Sequence, residues 1–182
     1  IDPFIRPEIM TLKKTPPLHV GKPKWLKTPI AKGKTFFEIK EEVRDKKLVT
    51  VCEEAKCPNI STCWNTATAT FMVLGDTCTR ACRFCNIKTG NPAGLLDKDE
   101  PRRVARSCQV MKLKYVVLTM VDRDDLPDGG ADHVSQVVRS IHEKNPGIRV
   151  EVLSGDWAGS LSSLEKVLEV KMSVFAHNLE TV

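Results

Sequence analysis

Six of the seven cysteines of this 182-residue chain fall between Cys52 and Cys85. They form two trios of different spacing: Cys52, Cys57 and Cys63 as C-x4-C-x5-C, then Cys78, Cys82 and Cys85 as C-x3-C-x2-C. The seventh, Cys108, stands apart among Val104, Val110 and Met111 and reads as a small core residue. Secreted disulfide scaffolds are smaller and spread their cysteines through the chain, so this crowding points to a reducing compartment and metal ligation. Structural zinc takes four ligands, commonly as paired C-x2-C knuckles. Three thiolates on one tight loop can instead hold three irons of a cubane cluster and leave the fourth iron to an external chelating molecule.

The rest of the chain reads as an ordinary folded domain. Apolar residues make up 41% and charged residues 28%, unlike a disordered segment. The length suffices for one sizeable domain with a buried core. No run of about eighteen apolar residues exists, so no membrane helix is expected. The chain opens on Ile1 rather than methionine, without an apolar signal-peptide core, and its N-terminus is expected to be processed. Early lysines (Lys13, Lys14, Lys22, Lys24, Lys27, Lys32, Lys34) interleave with Pro16, Pro17, Pro23 and Pro29. That pattern suits a solvated arm over residues 1–34, or a docking surface for an acidic protein. Nucleic-acid binding is not expected, because a basic arm alone carries no readout device.

Thr35 and Glu38 read as the capping box of a short helix through Phe36, Phe37, Ile39 and Val43. A cysteine-bearing loop is expected from Val51 to about Asn65. From Ala67 onward, apolar runs at Ala69–Leu74, Tyr115–Thr119, Ile148–Leu153 and Met172–His177 read as strands. Helical stretches at Glu100–Met111, Ala131–Glu143 and about Ser160–Glu169 lie between them. Four strands alternating with three helices imply α/β architecture in parallel βα units with right-handed crossovers. Chemistry in such units gathers in loops at the C-terminal ends of strands. Both the Cys78–Cys85 group and the acidic Asp122-Arg123-Asp124-Asp125 loop hold that position. The expected division is a cysteine-bearing extension over 1–66 and the βα domain over 67–182.

The C-x3-C-x2-C group after a first strand resembles the radical S-adenosylmethionine (SAM) superfamily. Adding C-x4-C-x5-C just upstream makes the chain similar to the lipoyl synthase family. The surrounding words carry the same resemblance: Val51-Cys52-Glu53-Glu54-Ala55, Cys57-Pro58-Asn59, Thr68-Ala69-Thr70, Val121-Asp122-Arg123-Asp124-Asp125-Leu126, Asp128-Gly129-Gly130-Ala131 and His177-Asn178-Leu179-Glu180. It runs from about Pro23 to Val182. The resemblance implies the first part of a partial six-stranded, TIM-like (βα) barrel. It implies two [4Fe–4S] clusters, with Cys78, Cys82 and Cys85 on the SAM-cleaving one and Cys52, Cys57 and Cys63 on an auxiliary one that yields sulfur. SAM-derived radicals would remove hydrogen from two unactivated carbons of a protein-bound octanoyl chain, and two sulfur atoms would take their place. No protein acid, base or nucleophile is required. Asp122, Asn178 and Glu180 are candidate SAM contacts, while Trp64 is expected to shield the auxiliary cluster. The implied partners are octanoylated lipoyl domains of 2-oxoacid dehydrogenase E2 subunits or the glycine-cleavage H protein, with a reductant such as ferredoxin or flavodoxin. The implied compartment is bacterial cytoplasm or mitochondrial matrix.

The chain departs from the family pattern in places. Its last residues follow the fourth strand, without the family's glycine-rich fifth-strand segment or the Arg-Ser-Ser-Tyr signature whose serine completes the auxiliary cluster. Ser162-Ser163 and Arg106-Ser107 lack that context. The family's Pro-Asp-Phe-Arg-Gly stretch reads Gly155-Asp156-Trp157-Ala158-Gly159, keeping the acid and losing the arginine. These 182 residues alone are therefore expected to load the SAM cluster poorly and turn over little. The alternatives are an inactive remnant of such an enzyme, or a zinc-binding module if the cysteines hold no cluster.

Overall fold

A computed structural model describes residues 33–45, 50–54 and 57–179. Residues 1–32 of the expected lysine-rich arm and Glu180 fall outside these residues, while Lys34, expected at the arm's end, begins the first helix. Three helices, α1 (Lys34–Asp45), α2 (Val51–Glu54) and α3 (Ile60–Asn65), precede the sheet. The sheet strands are β1 (Thr68–Val73), β4 (Tyr115–Met120), β5 (Arg149–Ser154) and β6 (Val174–His177). Between β1 and β4 come two short strands, β2 (Thr77–Cys78) and β3 (Lys88–Thr89), and helix α4 (Glu100–Val110). Helix α5 (Ala131–Lys144) joins β4 to β5, and α6 (Leu161–Leu168) joins β5 to β6.

The four main strands lie side by side in chain order and all pair in parallel. A doubly wound sheet reverses its order at a switch point; this one never does. Helix α4 packs on α5 and α5 on α6, so the crossovers share one side as in a barrel wall. The expected parallel α/β repeats are thus present. Register turns the alternation within each strand into apolar rows: Ala69, Val116 and Val150 stand abreast, as do Phe71, Leu118 and Val152. All six are essentially inaccessible and share one core with Val104, Cys108, Val134, Val138 and Ile141. The opposite face, bearing Thr70, Val117 and Glu151, is only half-buried.

Local sequence explains the helix ends. The Asp128 carboxylate accepts from the Gly130 and Asp132 backbone N–H groups at the start of α5. Ser160 caps α6 through the Ser163 N–H. Asp99 and Pro101 open α4. Two expectations need correction. Helix α1 begins at Lys34, so Thr35 lies inside it rather than at its cap. The segment from Val51 to Asn65 is not all loop, since α2 carries Cys52 and α3 carries Cys63. Each is too short to show apolar periodicity. They form because they pack on β1, where Thr50 also bridges to Phe71. Among the described residues no helix is long and apolar enough to cross a membrane.

Leu74 ends β1 in a left-handed conformation (φ 72°) while fully buried. Its side chain covers Gly130, which is itself left-handed (φ 88°); a Cβ there would stand 2.6 Å from a Leu74 methyl. Neither residue can yield, since Leu74 is enclosed and α5 starts at Ala131. Gly130→Ala is expected to cost about 2–4 kcal/mol from backbone strain and overpacking together. Urea unfolding of the variant beside the parent chain measures it.

Candidate metal and cofactor site

Apart from the Cys52–Cys63 trio, which precedes β1, the segments bearing expected chemistry leave the same sheet edge. The Cys78–Cys85 segment follows β1, the acidic loop follows β4, Asp156 follows β5 and Asn178 follows β6. Strands β2 and β3 pair in parallel, with Cys78 opposite Thr89, and the Gly90 N–H donates to the Cys78 carbonyl at 2.9 Å. This ladder closes the base of a small loop carrying the thiols. Cys78 is half-buried, whereas Cys82 and Cys85 are exposed. Phe84, 68% exposed between them, adds apolar surface beside the thiols.

The other trio is seated more deeply. Cys52 is buried on α2, Cys57 lies in the turn beyond it, and Cys63 is half-buried on α3. The Cys57 N–H donates to the Cys52 carbonyl and Ile60 N–H to the Cys57 carbonyl, folding the segment on itself. Burial pushes the Cys63 thiol up, and the nearby Cys52 and Cys57 push it further. Trp64, next to Cys63, is fully enclosed with its ring 5.3 Å from that of Phe36.

All seven cysteines are free thiols. Among the described residues no three His, Cys, Asp or Glu side chains converge as they would around a single ion. A cubane differs in giving each thiolate its own iron, which keeps the sulfurs farther apart than around one metal. Two groups of three free thiols, each within a short stretch of chain, fit such clusters. The isolated Cys108 does not join them: it is fully buried, its thiol pushed up to about 12 by burial.

Acidic side chains gather next to the exposed trio. Arg80, between Cys78 and Cys82, is forked onto Asp124 through Nε and Nη2 at 3.0 and 2.8 Å. Its Nη1 meets Asp156 at 2.7 Å and lies 3.9 Å from Asp122. Arg80 and the Thr79 hydroxyl hold the Asp124 carboxyl down at about 2. Asp122 differs. Burial raises its carboxyl, Arg80 opposes the rise, and Asp156 and Asp124 add to it. Its Oδ1 lies against Gly155, at a spot where any Cβ would collide. Of the acidic loop, then, Asp124 and Asp125 neutralise arginines, while Asp122 remains the carboxylate with capacity to spare. Asp122 also borders a cavity of about 240 Å³ lined with Arg80, Met120, Trp157 and Ser163. Asn178 is exposed past β6, and His177 Nδ1 is tied to the Ser154 carbonyl at 3.0 Å, a structural contact.

Arg80 and Asp156 were not singled out by sequence reasoning. Arg80 sits within the cysteine motif and Asp156 was noted only as a retained acid, and nothing in the sequence pairs them.

Arg123 is 2% exposed and pairs through Nε and Nη2 with both oxygens of Asp125, each at 2.8 Å. This ion pair holds the Asp125 carboxyl at about 2. A carboxyl lowered in the folded state stabilises the fold above its ordinary pKa and loses that contribution as pH falls through the folded value. Unfolding free energy should therefore drop as pH falls from roughly 4 to 2. In Asp125→Asn that slope flattens, and stability at neutral pH falls by on the order of 2 kcal/mol. Denaturant titrations across this pH range check both.

Comparison with known proteins agrees with this geometry. The radical SAM superfamily matches residues 72–182, and the N-terminal domain of lipoyl synthase of that superfamily matches residues 8–57. A lipoyl synthase of Deinococcus radiodurans is 54% identical over 170 residues, covering 93% of this chain and 51% of that protein. One from Thermus thermophilus is 52% identical over 91% of this chain and 51% of its own length. The mitochondrial lipoyl synthase of Eremothecium gossypii is 55% identical over 88% of this chain and 44% of its own. The chain spans about half the length of these curated relatives. SAM and two [4Fe–4S] clusters are the cofactors of their family. By these matches the chain belongs to the radical SAM superfamily and, within it, to the lipoyl synthase family.

Proposed function

We propose that the chain takes part in radical SAM-dependent insertion of two sulfur atoms at carbons 6 and 8 of a protein-bound octanoyl-lysine, forming the lipoyl cofactor. The observation that carries this reading is the pair of cysteine trios, one on α2, α3 and the turn between them and one presented at the sheet's C-terminal edge. Cys78, Cys82 and Cys85 would hold the SAM-binding cluster, and Cys52, Cys57 and Cys63 the auxiliary one. When bound, the first supplies the electron that cleaves SAM and the second supplies sulfur.

The protein's own work is placement. Residues 1–66 present the auxiliary trio and residues 67–182 the SAM-binding trio, both on the framework of β1. Asp122, beside the cavity at the ends of β4 and β5, suits a cationic group of SAM, and Asn178 and Glu180 suit its ribose. The carrier is an octanoylated lipoyl domain of a 2-oxoacid dehydrogenase E2 subunit or the glycine-cleavage H protein, and the reductant a ferredoxin or flavodoxin. The reducing cytoplasm of a bacterium or a mitochondrial matrix suits exposed thiols such as Cys82 and Cys85.

The test is anaerobic reconstitution with iron and sulfide, followed by SAM, a strong reductant and an octanoyl-lysyl peptide. This chain is compared with a version extended to the length of its relatives. The longer version is expected to release 5′-deoxyadenosine and form lipoyl product, with far less from the shorter. Cys82→Ala should end SAM cleavage in both, while Cys57→Ala should spare cleavage and end sulfur insertion. Asp122→Asn should raise the KM for SAM by roughly tenfold, the loss of one charge-assisted hydrogen bond. Recovery of zinc, or of no inorganic sulfide, from the reconstituted protein sinks the reading.

A further inference from the structure

The chain between β1 and α4 is long, and the Cys78–Cys85 thiols sit in its middle. One side chain from another loop holds both of its ends. Arg123 Nη1 donates to the Leu74 carbonyl at 2.9 Å, where the segment begins. Arg123 Nη2 donates to the Leu95 carbonyl at 2.8 Å, where it returns. Asp125, clamped on the same guanidinium, accepts the Gly94 N–H at 2.8 Å. The other side of Leu74 is fixed as well: its N–H donates to Glu100 Oε2 at 2.9 Å, and that oxygen also meets buried His133 Nε2 at 2.7 Å.

The guanidinium is suited to this because its planar fork offers five donors, and here they reach two carbonyls and a carboxylate. A lysine could satisfy only part of that set. At the Leu74 end the clasp is buried, so losing that bond leaves a buried carbonyl without a partner, whereas Gly94 and Leu95 lie at the surface. Nothing else on the acidic loop plays this part. Asp124 grips Arg80 and Thr79 inside the cysteine segment, whereas Arg123 grips its two ends.

We propose that Arg123, braced by Asp125, is a positioning residue that fixes the segment from Leu74 to Leu95 in the shape that presents Cys78, Cys82 and Cys85 together. The hydrogen bonds of Arg123 go to Asp125 and to the Leu74 and Leu95 carbonyls, and it acts through the two carbonyls it spans. The proposal rests on the reading that this trio holds the SAM-binding cluster. The auxiliary trio lies on α2, α3 and the turn between them, outside the Leu74–Leu95 segment, and serves as an internal control.

The experiment compares the parent chain, Arg123→Lys and Asp125→Asn after anaerobic reconstitution. Iron and sulfide content and the EPR signal of the reduced protein with and without SAM are read alongside amide hydrogen exchange of the same samples. In Arg123→Lys, exchange over residues 75–95 is expected to quicken at least about tenfold while β4 and β5 keep their rates. Iron should fall by about half, the lost share being the signal that responds to SAM. Asp125→Asn, which keeps both carbonyl bonds, should show the same pattern more weakly and guards against failure of the first variant to fold. A SAM-responsive signal and loop exchange unchanged in Arg123→Lys would overturn the proposal. So would exchange rising equally through β1, β4 and β5, which would make the arginine general scaffolding. The same variants are made in the version extended to the length of its relatives, and if that parent gives no SAM-responsive signal, the functional reading fails. The contrast between loop and core exchange then still decides for or against the clasp.

Discussion

Parallel strands bond to neighbours at one level and must be joined by crossovers, so consecutive loops all leave from the same edge. In this chain the register Phe71–Leu118–Val152–Phe175 carries that rule across four strands. Ladder hydrogen bonds and the apolar row beneath them fix where each strand stops, and the position of every loop residue follows. Arg80 meets Asp124 and Asp156 because β1, β4 and β5 end together. Slipping β4 by one residue would turn Val116 and Leu118 away from the core and carry the acidic loop off the cysteine segment.

At that edge, charge is distributed unevenly. Three carboxylates face the single guanidinium of Arg80, and they do not share it equally. Asp124 takes a two-pronged grip and Asp156 a short single contact, leaving Asp122 at 3.9 Å, pushed up by burial. An ionised carboxylate that is partly buried and under-compensated is stabilised by any cation that arrives. The site is thus biased toward a positively charged ligand before any cluster is considered.

Much of this was legible in the sequence, for reasons that vary by element. The four strands and the helices α4, α5 and α6 announce themselves because their apolar residues keep period two or 3.6, and their bounds fall within a few residues of expectation. Cysteine spacing is equally direct, since ligands on one loop are a local property. Helices α2 and α3 were missed because one or two turns show no period, and their order comes from packing on β1. The ladder of β2 and β3 has two residues per strand and no signature at all. Glu100 looks like an ordinary first-turn acid, yet it reaches across to the Leu74 N–H and His133. Such partners are set by tertiary proximity and leave no trace in local pattern.

The two cysteine trios are held by different physics, and their tolerance to change should differ accordingly. Cys52 is part of the core, and Trp64, next to Cys63, is locked against Phe36, so the auxiliary trio's backbone is fixed by apolar packing that is non-directional and adapts to small substitutions. The Cys78–Cys85 loop offers little apolar anchorage: Phe84 is exposed, and so is Leu95 where the segment returns. Its shape comes from hydrogen bonds and ion pairs, chiefly through Arg80, Arg123 and the carboxylates they grip. Polar clasps of that kind are directional and fail when one partner changes. The same property lets a loop remain open to solvent and ligand at the sheet edge while keeping three thiols in a defined arrangement, which a packed core could do only by burying them.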